Sequence, residues 1–299
     1  MKWEGNRESD NVDDRRGDDG GGGGGGGGFG LGGRSVGIGT IVLALVGSYV
    51  LGVNPMQLLN MLSGGGGTVV QQQQQPRPQV QPAVDDPMKK FVRTVLADTE
   101  DTWGTLFQQH QRTYVRPKLT LFSGAIQTGG CGVGRSAMGP FYCPADQRIY
   151  LDTGFFQLMQ QRFHVDGQFA EAYVIAHEVG HHVQNLMGIS AKVDAARRTA
   201  SETQANALSV RLELQADCFA GVWAYHANQQ RQILEQGDVD KALSAASAIG
   251  DDALQRQARG QVVPDSFTHG TSEQRVRWFT RGINSGKVSQ CNTFKASQL

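Results

Sequence analysis

Ala176-His177-Glu178-Val179-Gly180-His181-His182 is the stretch whose reading decides the fold. It holds the pattern His-Glu-x-x-His inside a run with helical spacing: Phe169, Tyr173, Ala176, Gly180, Val183 and Met187 recur at three- and four-residue steps. Gly188 follows the last apolar position and suits the residue just past a helix end. On such a helix His177 and His181 stand one turn apart and point the same way. Two imidazoles so placed can hold one face of a tetrahedral Zn²⁺. Glu178 is rotated from them towards the open metal position, where a carboxylate can take a proton from bound water. With 7 His and 9 Glu in the chain, the pattern is expected by chance roughly 0.005 times, so coincidence is a poor account of it. The rival reading is a polar surface helix. The apolar run from Tyr173 to Ala176 argues instead for a core position.

The chain has 299 residues and a formal net charge of +0, which argues against a nucleic-acid binder driven by phosphate contacts. Residues 1–35 are polar and charged and end in a poly-glycine run from Gly20 to Gly28; they read as a disordered tail. Val36 to Val53 carries no charge and is at the short end for a transmembrane helix, with Pro55 ending it. A cleaved signal peptide is the competing reading, but the preceding region is long and rich in Asp, and no Ala-x-Ala site follows. The expected order is therefore a tail (1–35), a single membrane-spanning helix (36–54), a Gly/Gln/Pro-rich linker (55–86) and one globular domain (87–299). Lys2, Arg7, Arg15, Arg16 and Arg34 precede the apolar run, and Arg77 is the first basic residue after it. That asymmetry predicts a cytoplasmic amino terminus and a large domain outside a bacterial cell membrane. Met56–Leu62 is amphipathic and suits the interface.

Within the domain, Asp86-Pro87 predicts a helix start, with helical spacing continuing to about Gln111. Lys118–Phe122 and Arg148–Asp152 read as strands, and Met138 to Asp152 as a hairpin just before the metal helix. Zincin folds commonly place a small sheet there, and its edge strand can pair with an extended peptide. Four cysteines are present. An even count in a domain outside the cytoplasm favours disulfides; Cys131 and Cys143 flank the hairpin and form the first pair, which leaves Cys218 with Cys291.

Gln204 to Gln236 reads as a long helix carrying Glu213-Leu214-Gln215-Ala216-Asp217. A catalytic zinc site needs a third protein ligand. A metzincin would have Gly and His at positions 184 and 187, where Gln184 and Met187 stand. Glu213 is the alternative, with Asp217 one turn later to accept a hydrogen bond from a ligand histidine. Glu202 and His226 are rival ligands without such a pairing. Asp238 to about Ala258 reads as a packing helix. Thr271-x-x-Gln274 is a capping box for a last helix. His269, just before it, can donate to a developing oxyanion or simply be a loop histidine with a backbone partner. His110, His164 and His182 read as structural or surface residues.

On these residues the sequence resembles the bacterial neutral zinc metallopeptidase family. The resemblance runs through MKWEGNRESDNVDDRRG, CG…GPFYCPADQRIYLD, AHEVGHHVQNLMG, ELQADCFAGVWA and FTHGTSEQRVRWF. It is also similar to the wider gluzincin peptidases, which share His-Glu-x-x-His and Glu-x-x-x-Asp. The expected fold is α+β: a mostly helical zincin-like domain with a small sheet. The expected function is a membrane-anchored zinc peptidase acting on a protein or peptide, with His177, His181 and Glu213 on Zn²⁺, Glu178 as base, Asp217 behind a ligand imidazole and His269 at the oxyanion. Two other readings are a non-catalytic zinc module tethered to the membrane and a zinc hydrolase acting on cell-wall bonds. A purely structural site has no use for the Glu178 carboxylate.

Overall fold

The computed structural model describes residues 1–18 and 86–299. The expected membrane-spanning helix (36–54), nearly all of the linker and the glycine-rich part of the tail lie outside the described residues. Among the described residues no helix is long and apolar enough to cross a membrane.

Among the described residues, eight α-helices and two small sheets make a mostly helical α+β domain, as expected. Strand β1 (Val12–Asp14) is followed by helix α1 (Pro87–Gln109). Asp86 caps α1 by accepting from the Met88 and Lys89 amides, and Pro87 fills its first position. Next come β2 (Lys118–Phe122), β3 (Ala125–Gln127), β4 (Val133–Arg135), β5 (Phe141–Cys143) and β6 (Arg148–Asp152). The main sheet has the order β1-β2-β6-β5. Its first three strands are parallel, and β5 runs antiparallel to β6 with Phe141 opposite Tyr150. The predicted hairpin is thus present and β5 is the outer strand on its side. Strands β3 and β4 form a separate hairpin over a small cluster of Phe122, Ile126, Cys143 and Tyr150.

The remaining helices are α2 (Gly154–Phe163), α3 (Gln168–Leu186), α4 (Ile189–Arg197), α5 (Glu202–Arg231), α6 (Asp238–Ala248), α7 (Asp251–Arg259) and α8 (Ser272–Ser285). Helix α3 carries the metal motif and is buried by α1, α5 and the sheet. Phe91, Leu121, Ile149, Tyr173, Val179, Leu214 and Trp223 belong to one continuous core. Helices α5 and α8 cross with Gly221 against Gly282: a Cβ on Gly282 would sit 2.1 Å from the Cys218 carbonyl oxygen, and one on Gly221 2.3 Å from that of Phe279. This close crossing brings α8 down onto the middle of α5. Both expected disulfides are formed, Cys131–Cys143 and Cys218–Cys291.

Three boundaries differ from expectation. The long helix ends at Arg231, because Gln232 turns into the left-handed region (φ 51°). Its start is fixed by a Ser201/Gln204 capping box. The helix expected over 238–258 is two helices broken at Gly250, where a Cβ would meet the Ser272 amide at 2.4 Å. Helices α2 and α4 were not anticipated.

The largest correction concerns the amino terminus. Residues 1–18, expected to be disordered, are packed on the domain. Trp3 is buried edge-on against Phe91, with ring centroids 5.4 Å apart. Val12–Asp14 adds a parallel strand to β2. Average composition hid this, because many of the charges that suggested disorder find a partner: Arg7 with Glu100 and Asp101, Glu8 and Asp10 with Arg93, Asp14 with Arg16. The bonded Arg16 guanidinium holds the Asp14 carboxyl down at about 2. A carboxyl whose folded value lies below its unfolded one of 3.8 contributes stability above that pH, lost as pH falls through the folded value. Hydrogen exchange is therefore expected to show the β1 amides losing protection as pH drops from about 4 to about 2, ahead of core amides in α3; protection unchanged across that window would contradict the pairing.

Candidate metal centre

His177 and His181 project from consecutive turns of α3, and Glu213 projects from α5 alongside. Helix α3 can approach α5 this closely because Gly180 has no side chain; a Cβ there would lie 3.0 Å from the Ala216 carbonyl oxygen. The result is a tight triangle. His177 Nε2 is 3.2 Å from His181 Nε2 and 3.2 Å from Glu213 Oε2, and His181 Nε2 is 3.5 Å from Glu213 Oε2. Three donors bound at about 2.0–2.1 Å to a tetrahedral ion stand about 3.3 Å from one another. The triangle therefore has the size of one face of a zinc tetrahedron, and among the described residues it is the one such cluster of His, Cys, Asp or Glu.

The imidazoles are oriented for this. His177 Nδ1 is 2.8 Å from Asp217 Oδ1, and His181 Nδ1 is 2.9 Å from Gln184 Oε1. Each carboxylate or amide oxygen fixes the proton on Nδ1 and leaves the Nε2 lone pair facing the triangle. Gln184 is itself held by the Leu212 carbonyl and Gln215. Asp217 is fully buried and takes four hydrogen bonds: from His177, from the Tyr173 hydroxyl (2.6 Å), and from Arg275 Nε and Nη2 (both 2.9 Å). Burial alone would raise the Asp217 carboxyl, but Arg275 and then His177 hold it well below the usual carboxylate range. Burial likewise would lower His177, and the Asp217 charge beside it opposes that and raises it. An anionic aspartate thus grips the imidazole.

Glu178 is buried (7% exposed), and its carboxylate makes no hydrogen bond to a protein group among the described residues. Burial raises its carboxyl above the ordinary value, opposed by the neighbouring histidines. It is thus a carboxylate poised to accept a proton. His269 stands in the loop before α8. Asp251 Oδ2 gathers that loop by accepting the amides of Thr268, His269 and Gly270, and its Oδ1 lies 3.2 Å from His269 Nδ1. A Cβ on Gly270 would touch Leu214 and Val210 at 3.2 Å, so the loop lies against α5 beside Glu213.

The rival ligands are elsewhere. Glu202 is exposed in the first turn of α5, and His226 Nε2 meets the Gly286 carbonyl. His182 is structural: Nδ1 meets the Tyr142 hydroxyl at 3.0 Å and Nε2 the Val115 carbonyl at 2.6 Å. That contact ties β5 to the metal helix. Sequence reasoning missed Gln184, Arg275 and Asp251. Gln184 had a usable signal, since it follows His181 by three residues on one helix face. Arg275 had none, being 58 residues from Asp217.

The uncharacterized protein YpfJ of Escherichia coli is 52% identical over 297 residues, covering 99% of this chain and 100% of that one. The uncharacterized protein Rv2575 of Mycobacterium tuberculosis is 42% identical over 220 residues, covering 70% of this chain and 73% of that one. No solved structure matches. The family described as "Putative neutral zinc metallopeptidase" matches residues 1–294, a span that includes every residue of the triangle and the packed amino terminus, and the chain belongs to that family.

Proposed function

We propose that the protein is a zinc-dependent peptidase that hydrolyses peptide bonds with a water activated at the His177–His181–Glu213 centre. The observation that carries this reading is the pairing of a zinc-sized donor triangle with a buried, unbonded Glu178 one residue from the first ligand. Zinc bound there would supply an acidified water and a positive charge beside the scissile carbonyl. Glu178 takes the proton of the attacking water and returns it to the leaving amine. His269, steadied by Asp251, donates to the carbonyl oxygen as it becomes an anion. Asp217, held by Tyr173 and Arg275, and Gln184 keep the two imidazoles in register. The outer strand β5, pinned to α3 through Tyr142 and His182, gives an extended peptide a backbone to pair with. That edge favours a peptide over a cell-wall cross-link.

Two disulfides support a domain that works outside the cytoplasm. The charge-free run Val36–Val53 supports membrane attachment. The direct test is a library of unstructured peptides given to the purified full chain. Cleavage is expected with about one zinc per chain, abolished by a chelator and restored by zinc. A fully zinc-loaded protein that cuts no peptide but opens peptidoglycan cross-links would replace this reading with the cell-wall one.

A further inference from the structure

From the packing of residues 1–18 we infer that the amino terminus and the metal domain lie on the same side of the membrane, as one folded unit. The inference does not depend on the peptidase reading. It replaces the opposite-sides arrangement that the Lys and Arg distribution suggested.

The amino-terminal segment completes the fold. The Glu100 side chain on α1 is fully buried. Its oxygens are met by the Ser9 hydroxyl (2.6 Å), the Asn11 amide (2.7 Å) and Arg7 Nη2 (2.9 Å). Three residues of the segment thus satisfy one buried carboxylate; without them Glu100 would keep, among the described residues, only Arg116, 3.9 Å away. A buried charge stripped of its partners is strongly unfavourable. Trp3 fills the core beside Phe91, and β1 covers the edge of β2, which would otherwise be an open strand of the sheet. At the other end of the segment Arg16 Nη2 lies 2.6 Å from Asp86 Oδ2. Asp86 is the cap of α1. The chain therefore leaves the domain after residue 18 and rejoins it at residue 86 at one place on the surface.

If Val36–Val53 spans the bilayer once, residues 1–18 and residues 86–299 are on opposite sides. A return needs a second apolar stretch of about 20 residues. After Val53 the sequence offers only the seven residues Met56–Leu62, which include Gln57 and Asn60, before polar Gly, Gln and Pro runs. A single crossing and the observed docking exclude each other. Exchange of the segment between copies does not help, because every copy anchored that way keeps its segment on the far side. The docking uses a core tryptophan, a strand and a buried carboxylate, whereas a charge-free run of 18 residues is marginal for a span. The run is then left to associate with the membrane from the domain's own side.

The test uses the full chain in its native cells. All four cysteines are paired, so an added one is the sole thiol. Asp10→Cys, at a fully exposed side chain, and Gln298→Cys on the domain surface are labelled with a membrane-impermeant maleimide before and after lysis. Glu4→Cys, also exposed, serves as a second amino-terminal position. Both ends are expected to give the same pattern. Labelling of one end only before lysis overturns the inference. A second arm tests docking itself: trypsin cleavage after Arg7 in the purified full chain is expected to be at least about tenfold slower than in Trp3→Asp, in keeping with an opening that costs about 1.4 kcal/mol or more. Equal rates overturn it regardless of the labelling.

Discussion

Glu178→Gln is expected to retain about one zinc per chain while losing about 10²–10⁴-fold in the rate of peptide hydrolysis, the usual contribution of a general base. That loss corresponds to about 3–5 kcal/mol of transition-state stabilisation. The prediction follows from position. Glu178 is next to a ligand but is not part of the donor triangle, so an amide of the same shape leaves His177, His181 and Glu213 untouched. An amide cannot take the water proton. The matched measurements are zinc content and steady-state rate on a single peptide. A variant that cleaves at the wild-type rate removes Glu178 from the mechanism. A variant that loses its zinc assigns the residue to the metal instead. In cells, comparison of wild type with this variant also identifies substrates, as fragments present only with wild type.

Glu213→Ala is the second large effect. It removes one of three donors, and zinc affinity is expected to fall far more than in Asp217→Asn. That second change leaves the triangle intact and weakens the hold on His177, for which about 10–100-fold is the normal range. Glu202→Ala, exposed at the start of α5, is expected to leave affinity unchanged. A competition titration with a chromogenic chelator orders the three. Loss of metal in Glu202→Ala with retention in Glu213→Ala would reject the assigned ligand set. Folding has to be followed in parallel for Asp217, because its carboxylate is the buried counter-charge of Arg275. Breaking a buried pair from one side typically costs about 3–5 kcal/mol. Stability loss with unchanged affinity in the folded fraction would make the Arg275–Asp217 pair a support of the core and not of the metal centre.

The His177–His181 helix was legible from local spacing alone, because two histidines at a four-residue step on an apolar helix have few other readings. The sequence also pointed to Glu213 and Asp217, since a third ligand had to come from a second helix and Glu-x-x-x-Asp offers ligand and support one turn apart. The hairpin before α3, both cysteine pairs and the Thr271 capping box were legible for the same reason: each depends on residues close in sequence or on simple counting. Contacts between distant elements were not legible in this way and emerge from the packing. Arg275 reaches Asp217 because glycines at 221 and 282 let α8 drop onto α5. Gly250 breaks a helix so that Asp251 can gather the His269 loop. The amino terminus was misread because its charges looked solvated, and their partners on α1 lie some ninety residues further along the chain. Local periodicity reports which face of an element is apolar; it carries no information on which distant group will neutralise a given charge.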